Sequence, residues 1–200
     1  MRPIKVYNSV ENERIRNIVA GDTAAFRSLV RDYHPLAYSL AFKTLNDRQD
    51  AEEVVQDAFL KIHQALDGFR GEASLKTWVL RIVLRLSLNR RRDRSRSAWQ
   101  RLGLHQKDVE EKLGSTVEIV SPVLQTPESL CISQETRQLL LKLVDELPDA
   151  LREVLVLNSL EELSYEEIAR ILQIPSGTVG SRMHAARKKL LKKLGQSDLL

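Results

Sequence analysis

The sequence predicts an all-α fold of two small helical domains joined by a flexible linker. Three observations carry this. Apolar residues recur at spacings of three and four through most of the chain, which is the period of a helix face. No segment alternates apolar and polar residues with the period of a half-buried strand. Trp99 to about Ser133 loses the helical period and holds Gly103, Gly114, Pro122 and Pro127, the mark of a connector. The expected organisation is an N-terminal segment over 1–21, a first domain over 22–97, a linker over 98–133 and a second domain over 134–195.

In order, Met1 to roughly Asn12 reads as poorly ordered, with a short helix following to Ala20. Gly21-Asp22 is a stop and an N-cap. Ala25, Phe26, Leu29 and Val30 then form an apolar stripe. Pro35 marks a bend or a new helix start, and the helical pattern continues to about Leu45. Asn46 to Gln49 reads as a polar loop. Asp50 to Leu66 is a helix with Ala51, Val54, Val55, Ala58, Phe59 and Ile62 on one face. Asp50, Glu52, Glu53 and Asp57 cluster near its start, where acids complement the helix dipole. Such acids commonly form a solvated helix start; they also make a docking face for a basic partner.

Asp67 to Ala73 is a two-glycine loop, and Ser74 caps the next helix. Leu75, Trp78, Val79, Ile82, Val83 and Leu86 form its core face. It runs into Arg90, Arg91, Arg92, Arg94 and Arg96, with only Asp93 opposing. A basic run of this kind can be a disordered tail. Here it continues an apolar stripe, so the expectation is an ordered helix whose end tracks phosphates. One short helix is expected near Asp108 to Leu113 within the linker. Beyond it, Gln134 to Leu147 and Asp149 to Leu160 are helical, and Glu161-Glu162 ends the second.

The last segment is the most informative. Ser164 with Glu167 three residues on is a capping box. A helix from Tyr165 to Gln173 follows, broken at Ile174-Pro175-Ser176-Gly177. A second helix restarts there, with Val179, Met183, Ala186 and Leu190 on one narrow stripe. Its other face carries Ser181, His184, Ala185, Lys188 and Lys192, flanked by Arg182 and Arg187. No acid occurs between Glu167 and Asp198. Small polar residues near a helix start can approach base edges, and the Lys and Arg further along can reach phosphates, so the pattern is that of a DNA-binding helix-turn-helix. A helical hairpin with a solvated basic face has the same outline.

The whole chain limits the other possibilities. The formal charge is +4, but the excess sits in two clusters, Lys76 to Arg101 and Arg182 to Lys193, which points to nucleic acid more than the net charge does. Cys131 is the only cysteine, so neither an internal disulfide nor a structural zinc site is expected. It reads as a small apolar filler. The start of the chain has no apolar signal segment and no run approaches a membrane span, so a cytoplasmic protein is expected. His34, His63, His105 and His184 are far apart in sequence, and no phosphate loop, nucleophile elbow or zinc-binding HExxH occurs. No enzyme, cofactor, metal or small-molecule substrate is expected.

Four motifs in order carry a resemblance: GDTAAFRSLV, DAEEVVQDAFLKI, FRGEASLKTWVLRI and LPDALREVLVLNSLEELSYEEIARILQIPSGTVGSR. Together they resemble the bacterial RNA polymerase sigma factors of the extracytoplasmic-function group. Asp22 to Arg92 looks like the sigma-2 domain and Gln134 to Leu194 like sigma-4, with no sigma-3 domain between.

The resemblance implies partners and roles. The partners would be polymerase core enzyme, promoter DNA and an anti-sigma factor. Glu53, Gln56 and Asp57 match the surface that docks on the polymerase's large subunit. Phe69, Arg70, Gly71 and Ser74 match the loop that captures a flipped base of the −10 element. Lys76, Trp78, Arg81, Arg85 and Asn89 fall on the strand-opening helix that follows. Ser176, Gly177, Thr178, Ser181, Arg182, His184, Arg187, Lys188 and Lys192 fall on the segment that reads the −35 element. Relatives usually carry Asn at the position of Arg85 and Arg or Lys at those of Gly180 and Ala185. Either the −35 preference differs here, or recognition leans more on Ser181, His184 and Lys188. A stand-alone helix-turn-helix regulator is the alternative, but it would need a dimerisation face or effector pocket in the N-terminal half. An RNA-binding protein would need aromatic stacking platforms that the chain lacks.

Overall fold

The computed structural model of the protein describes residues 9–101, 134–160 and 163–194. Among them the regular structure is helical throughout. The first group is α1 (Ser9–Val19), α2 (Thr23–Leu45), α3 (Arg48–Ala65), a single 3-10 turn (Leu66–Gly68) and α4 (Leu75–Arg101). The second is α5 (Gln134–Asp145), α6 (Asp149–Asn158), α7 (Tyr165–Leu172) and α8 (Ser176–Leu194).

Side-chain caps start four of the described helices. Asp22 accepts from the backbone N–H groups of Ala24 and Ala25 at 2.8 and 3.1 Å and starts α2. Asn46, left-handed at φ 54°, ends it, a conformation Asn tolerates better than most residues. Asp47 accepts from the Asp50 N–H at 2.9 Å and starts α3. Ser74 accepts from the Thr77 N–H at 3.1 Å and starts α4. The capping box at α7 is complete, since Ser164 Oγ accepts from the Glu167 N–H while the Glu167 carboxylate accepts from the Ser164 N–H at 2.9 Å. That backbone bond holds the Glu167 carboxyl below its usual range.

Several expected boundaries move. α1 begins at Ser9, within the stretch expected to lack order. α3 begins at Arg48 rather than Asp50, because Asp47 and not a later residue is its cap. Pro35 neither bends nor restarts the chain; it sits inside α2, exposed, where one missing backbone bond is outweighed by the packing of Leu29, Ala37, Leu40 and Ala41. α4 continues to Arg101, past the expected linker start at 98. α7 ends at Leu172, with Gln173 left-handed at φ 56°. The short helix expected near Asp108, the ends of the chain, the Glu161-Glu162 stop and Cys131 lie outside the described residues.

The core of the first group lies among α2, α3 and α4, where Leu29, Leu40, Val55, Ile62, Leu75, Val79, Leu80 and Val83 are all buried. Each such side chain stabilises by roughly 1.5–3 kcal/mol. Ala37, Ala41, Ala51 and Ala58 are fully enclosed and let the helix backbones approach closely. α1 is tied to α2 by Arg14–Asp32 at 2.8 Å and by the Tyr33 hydroxyl, which donates to Glu11 at 3.1 Å. In the second group Val154, Leu157, Ile168, Ile171, Val179, Met183 and Ala186 pack α6, α7 and α8 together. The two cores are continuous, for α7 rests on α4 and α6 on α2.

Candidate polymerase and promoter interfaces

Three faces collect the residues singled out from the sequence. On α3, Glu52, Gln56, Asp57 and Leu60 are exposed. Glu53 is turned inward. Its carboxylate meets the Arg90 guanidinium at 2.8 Å and accepts from the Gln49 side chain at 3.2 Å. The sequence therefore brings Gln56 and Asp57 together on an open surface, and leaves Glu53 at its edge, shared with α4.

The arginine run of α4 is sorted into faces by what lies beside it. Arg90 also meets Asp50 at 3.4 Å, and Arg94 meets Asp50 at 3.2 Å and Asp47 at 3.9 Å. The acids at the start of α3 thus neutralise these arginines, and the expectation that the helix end tracks phosphates is corrected for both. Arg91 points at α5 and meets the Asp145 carboxylate at 3.2 Å. Burial, with Arg152 close by, lowers its pKa. Arg85, Asn89, Arg92 and Arg96 stay exposed, spaced so that they share one face.

At the start of α4, Phe69 is half-buried against Trp78, with ring centroids 5.2 Å apart. Gly71 is buried at φ 64°, a conformation that favours glycine. Arg70 points outward. Ser74 is engaged in capping and lies 2.9 Å from the Thr77 hydroxyl. Lys76 lies near enough to Glu167 to help hold its carboxyl ionised. Arg81 is committed elsewhere, since its guanidinium donates to the Arg170 carbonyl from Nε at 3.1 Å and Nη2 at 2.5 Å.

On α8, Ser176, Gly177, Ser181, His184, Arg187, Lys188 and Lys192 are exposed; Thr178, Gly180, Arg182 and Ala185 are half-buried. Ser181 Oγ donates to the Thr178 carbonyl at 3.1 Å. Arg182 leans towards Glu153 of α6, whose carboxyl is raised by burial and by Asp149 and lowered by Arg182 and Arg92. A Cβ built on Gly177 or Gly180 meets nothing within 4 Å, so packing does not require glycine at either place.

Sequence reasoning missed Arg152 and Lys43. Arg152 is 5% exposed. It donates to the carbonyls of Val144 at 3.1 Å and Asp145 at 2.6 Å, to that of Leu147, and to the Asp149 carboxylate at 2.6 Å. It thereby satisfies the end of α5 and fixes the α5–α6 turn. Only the Asp149-x-x-Arg152 spacing hinted at it. Lys43 Nζ donates to the Ser159 carbonyl at 2.5 Å, a contact across 116 residues that no local pattern signals.

α3 and most of α8 lie within two family matches. Residues 29–97 match the Sigma-70 region 2 family and residues 137–190 match Sigma-70 region 4. The ECF RNA polymerase sigma-E factor of Escherichia coli K12 is 34% identical over 181 residues, covering 90% of this chain and 92% of that protein. The chain belongs to the extracytoplasmic-function sigma factors. The RNA polymerase sigma-H factor of Pseudomonas aeruginosa is 32% identical over 184 residues, covering 92% of this chain and 93% of that one. Among solved structures, the sigma factor RpoE of Bartonella quintana, in complex with the anti-sigma factor NepR, is similar with a TM-score of 0.55 and 25% identity. That match covers 86% of this chain and 98% of the other. CnrH in complex with the cytosolic domain of CnrY has the same fold, with a TM-score of 0.59, 24% identity and coverage of 92% and 97%. As a sigma factor the chain directs promoter-specific transcription initiation. No helix among the described residues is long and apolar enough to cross a membrane.

Proposed function

We propose that this sigma factor works without catalytic chemistry of its own, in the cytoplasm, by placing three faces against polymerase core and promoter. Gln56 and Asp57 of α3, with Glu53 at their edge, dock on the core enzyme. The Phe69–Ser74 loop and the exposed side of α4 hold the opened −10 strand. There the Phe69–Trp78 pair supplies an aromatic surface, and Arg70, Arg85 and Asn89 face a backbone. α8 enters the −35 major groove, with Ser181 and His184 at base edges and Arg187, Lys188 and Lys192 at phosphates.

One observation carries the reading. α8 presents an exposed face without an acid, small and polar at its start and basic towards its end, on the second helix of a helix-turn-helix. Like RpoE of Bartonella quintana, the chain is expected to be held by an anti-sigma factor. Run-off transcription on genomic fragments, with core polymerase plus and minus this chain, tests the reading. Discrete start sites are expected only when the chain is present. Identical transcripts with and without it would overturn the assignment.

A further inference from the structure

Gly177 is not explained by the fold. It is the second residue of α8, and glycine there costs helix stability that alanine would not. A fold requires glycine where φ is positive or where a neighbour leaves no room for a Cβ. Neither holds here. Among the described residues the glycines at positive φ are Gly21 and Gly71, and a Cβ built on Gly177 meets nothing within 4 Å. Gly177 is exposed. Its missing side chain therefore leaves open the space in front of α8, not a space inside the protein.

Its place on the helix gives that space a use. Gly177, Ser181, His184, Lys188 and Lys192 recur at helical spacing and form one exposed stripe. Val179, Met183 and Ala186, which are buried, repeat the same spacing about 200° further round the helix. Along the outward stripe the side chains lengthen, from none, through a hydroxymethyl and an imidazole, to two lysines. Ser181 adds little height, since its Oγ turns back onto the Thr178 carbonyl at 3.1 Å. A helix with its side chains is about 10–12 Å across, and the major groove is about 12 Å wide. How deep such a helix sinks is therefore set by the side chains that face the floor. On α8 that surface is a wedge about 22 Å long, bare at the start and tall at the end.

We propose that Gly177 determines −35 specificity: its bare backbone lets the first turn of α8 press against base edges, while the longer side chains behind it span the widening gap to the phosphates. This rests on the promoter role given above to α8. A Cβ stands about 1.5 Å out from its Cα. Base-edge hydrogen bonds are about 2.9 Å long and fail beyond about 3.5 Å, so one methyl group here lifts the start of the helix out of bonding range. The lysines keep their phosphates, because their flexible stems follow the shift.

The test is Gly177→Ala in the full chain, assembled with core polymerase. Native holoenzyme first selects a −35 sequence from a saturated library, and each variant is then titrated with that sequence and with a scrambled one. Gly177→Ala should bind the selected sequence at least about fivefold more weakly, the low end for one mismatched base pair. Binding to the scrambled sequence, and the salt slope of both, should stay as they are. The melting temperature of the free variant should hold or rise, because alanine favours a helix. Binding lost by a chain that is no less stable cannot come from misfolding. Gly177→Leu should lose more, since it stands taller. Gly180→Ala is the control, being the same change about 60° off the stripe, and should keep the native ratio. Should Gly177→Ala melt early, Gly177→Ser repeats the test with a residue suited to helix starts. A variant at Gly177 that keeps the native ratio of selected to scrambled binding overturns the proposal, and so does an equal loss from Gly180→Ala. If native holoenzyme selects no −35 sequence at all, the reading of α8 itself fails and takes this proposal with it.

Discussion

α4 and α8 are both rich in cations, yet they spend them differently. On α4, Arg90 and Arg94 are matched by Asp47, Asp50 and Glu53, and Arg81 and Arg91 end on backbone carbonyls of the other half. On α8, Arg187, Lys188, Lys189 and Lys192 are exposed, and among the described residues they have no acid in ion-pair range; Lys193 reaches Glu146, and Arg182 leans towards Glu153. The difference lies in the neighbours. α4 lies beside the acidic start of α3, whereas α8 belongs to a stretch of sequence without acids. A count of basic residues thus overstates the open charge of α4 more than that of α8.

The sharpest way to break this contrast is to remove a cation of each kind. Arg152 is the extreme of the occupied class. Arg152→Ala leaves the ends of α5 without donors and should cost about 3 kcal/mol, read as a lower denaturant midpoint for the C-terminal half. Arg187→Ala, on the open face of α8, should change the midpoint by less than about 0.5 kcal/mol. Equal effects would mean that the two arginines are not distinguished by their surroundings.

Within α8 the contrast becomes one between reading and holding. Ser181→Ala or His184→Ala should alter −35 base preference by roughly 1–3 kcal/mol at one base pair. Lys188→Ala or Lys192→Ala should weaken binding to all sequences alike and flatten the salt dependence by about one unit per phosphate lost. A saturated −35 library read with holoenzyme from each variant separates the two patterns. A uniform loss from Ser181→Ala and His184→Ala would remove this helix as the reader.

The next comparison lies across α3 and α4. Arg90→Ala should lower stability by up to about 1 kcal/mol and leave the salt slope of promoter binding nearly unchanged, since the pair is partly exposed and internal. Arg85→Ala should do the reverse. Glu53→Lys sets like charge against Arg90 and should destabilise as well as weaken core binding; Asp57→Lys should weaken core binding alone. Thermal melts beside a core-binding titration decide this. If Asp57→Lys melts early or binds core normally, Asp57 is not an open docking residue.

What the sequence disclosed follows the range of the interactions. Asp22, Ser74 and the Ser164–Glu167 box cap as expected, because a cap and its partners lie within three residues. Of the stripe of Val179, Met183, Ala186 and Leu190, the first three are buried as the spacing predicts and Leu190 is half-buried. Pro35 misled, because its local cost is set against core contacts made by residues on both sides of it. The arginine run misled for a related reason, since its partners are 37 and 44 residues away on α3. Lys43, Arg81 and Arg91 as donors to helix ends were invisible, because carbonyls 54 to 116 residues distant leave no mark in the side-chain pattern.

Gly180 offers the finest test of the open face of α8. Glycine within a helix costs up to about 1 kcal/mol relative to alanine, and a Cβ here meets nothing within 4 Å. Gly180→Ala should therefore raise the melting temperature of the C-terminal half by a few degrees without shifting base preference. Gly180→Arg restores the side-chain type usual in relatives at this position. If the face truly lies on DNA, that variant should steepen the salt dependence of promoter binding by about 0.9, the increment for one added phosphate contact. If Gly180→Ala stabilises but Gly180→Arg leaves the salt slope untouched, this position is open yet does not face the duplex, and the groove-facing side of α8 must be rotated towards Ser181, Lys188 and Lys192.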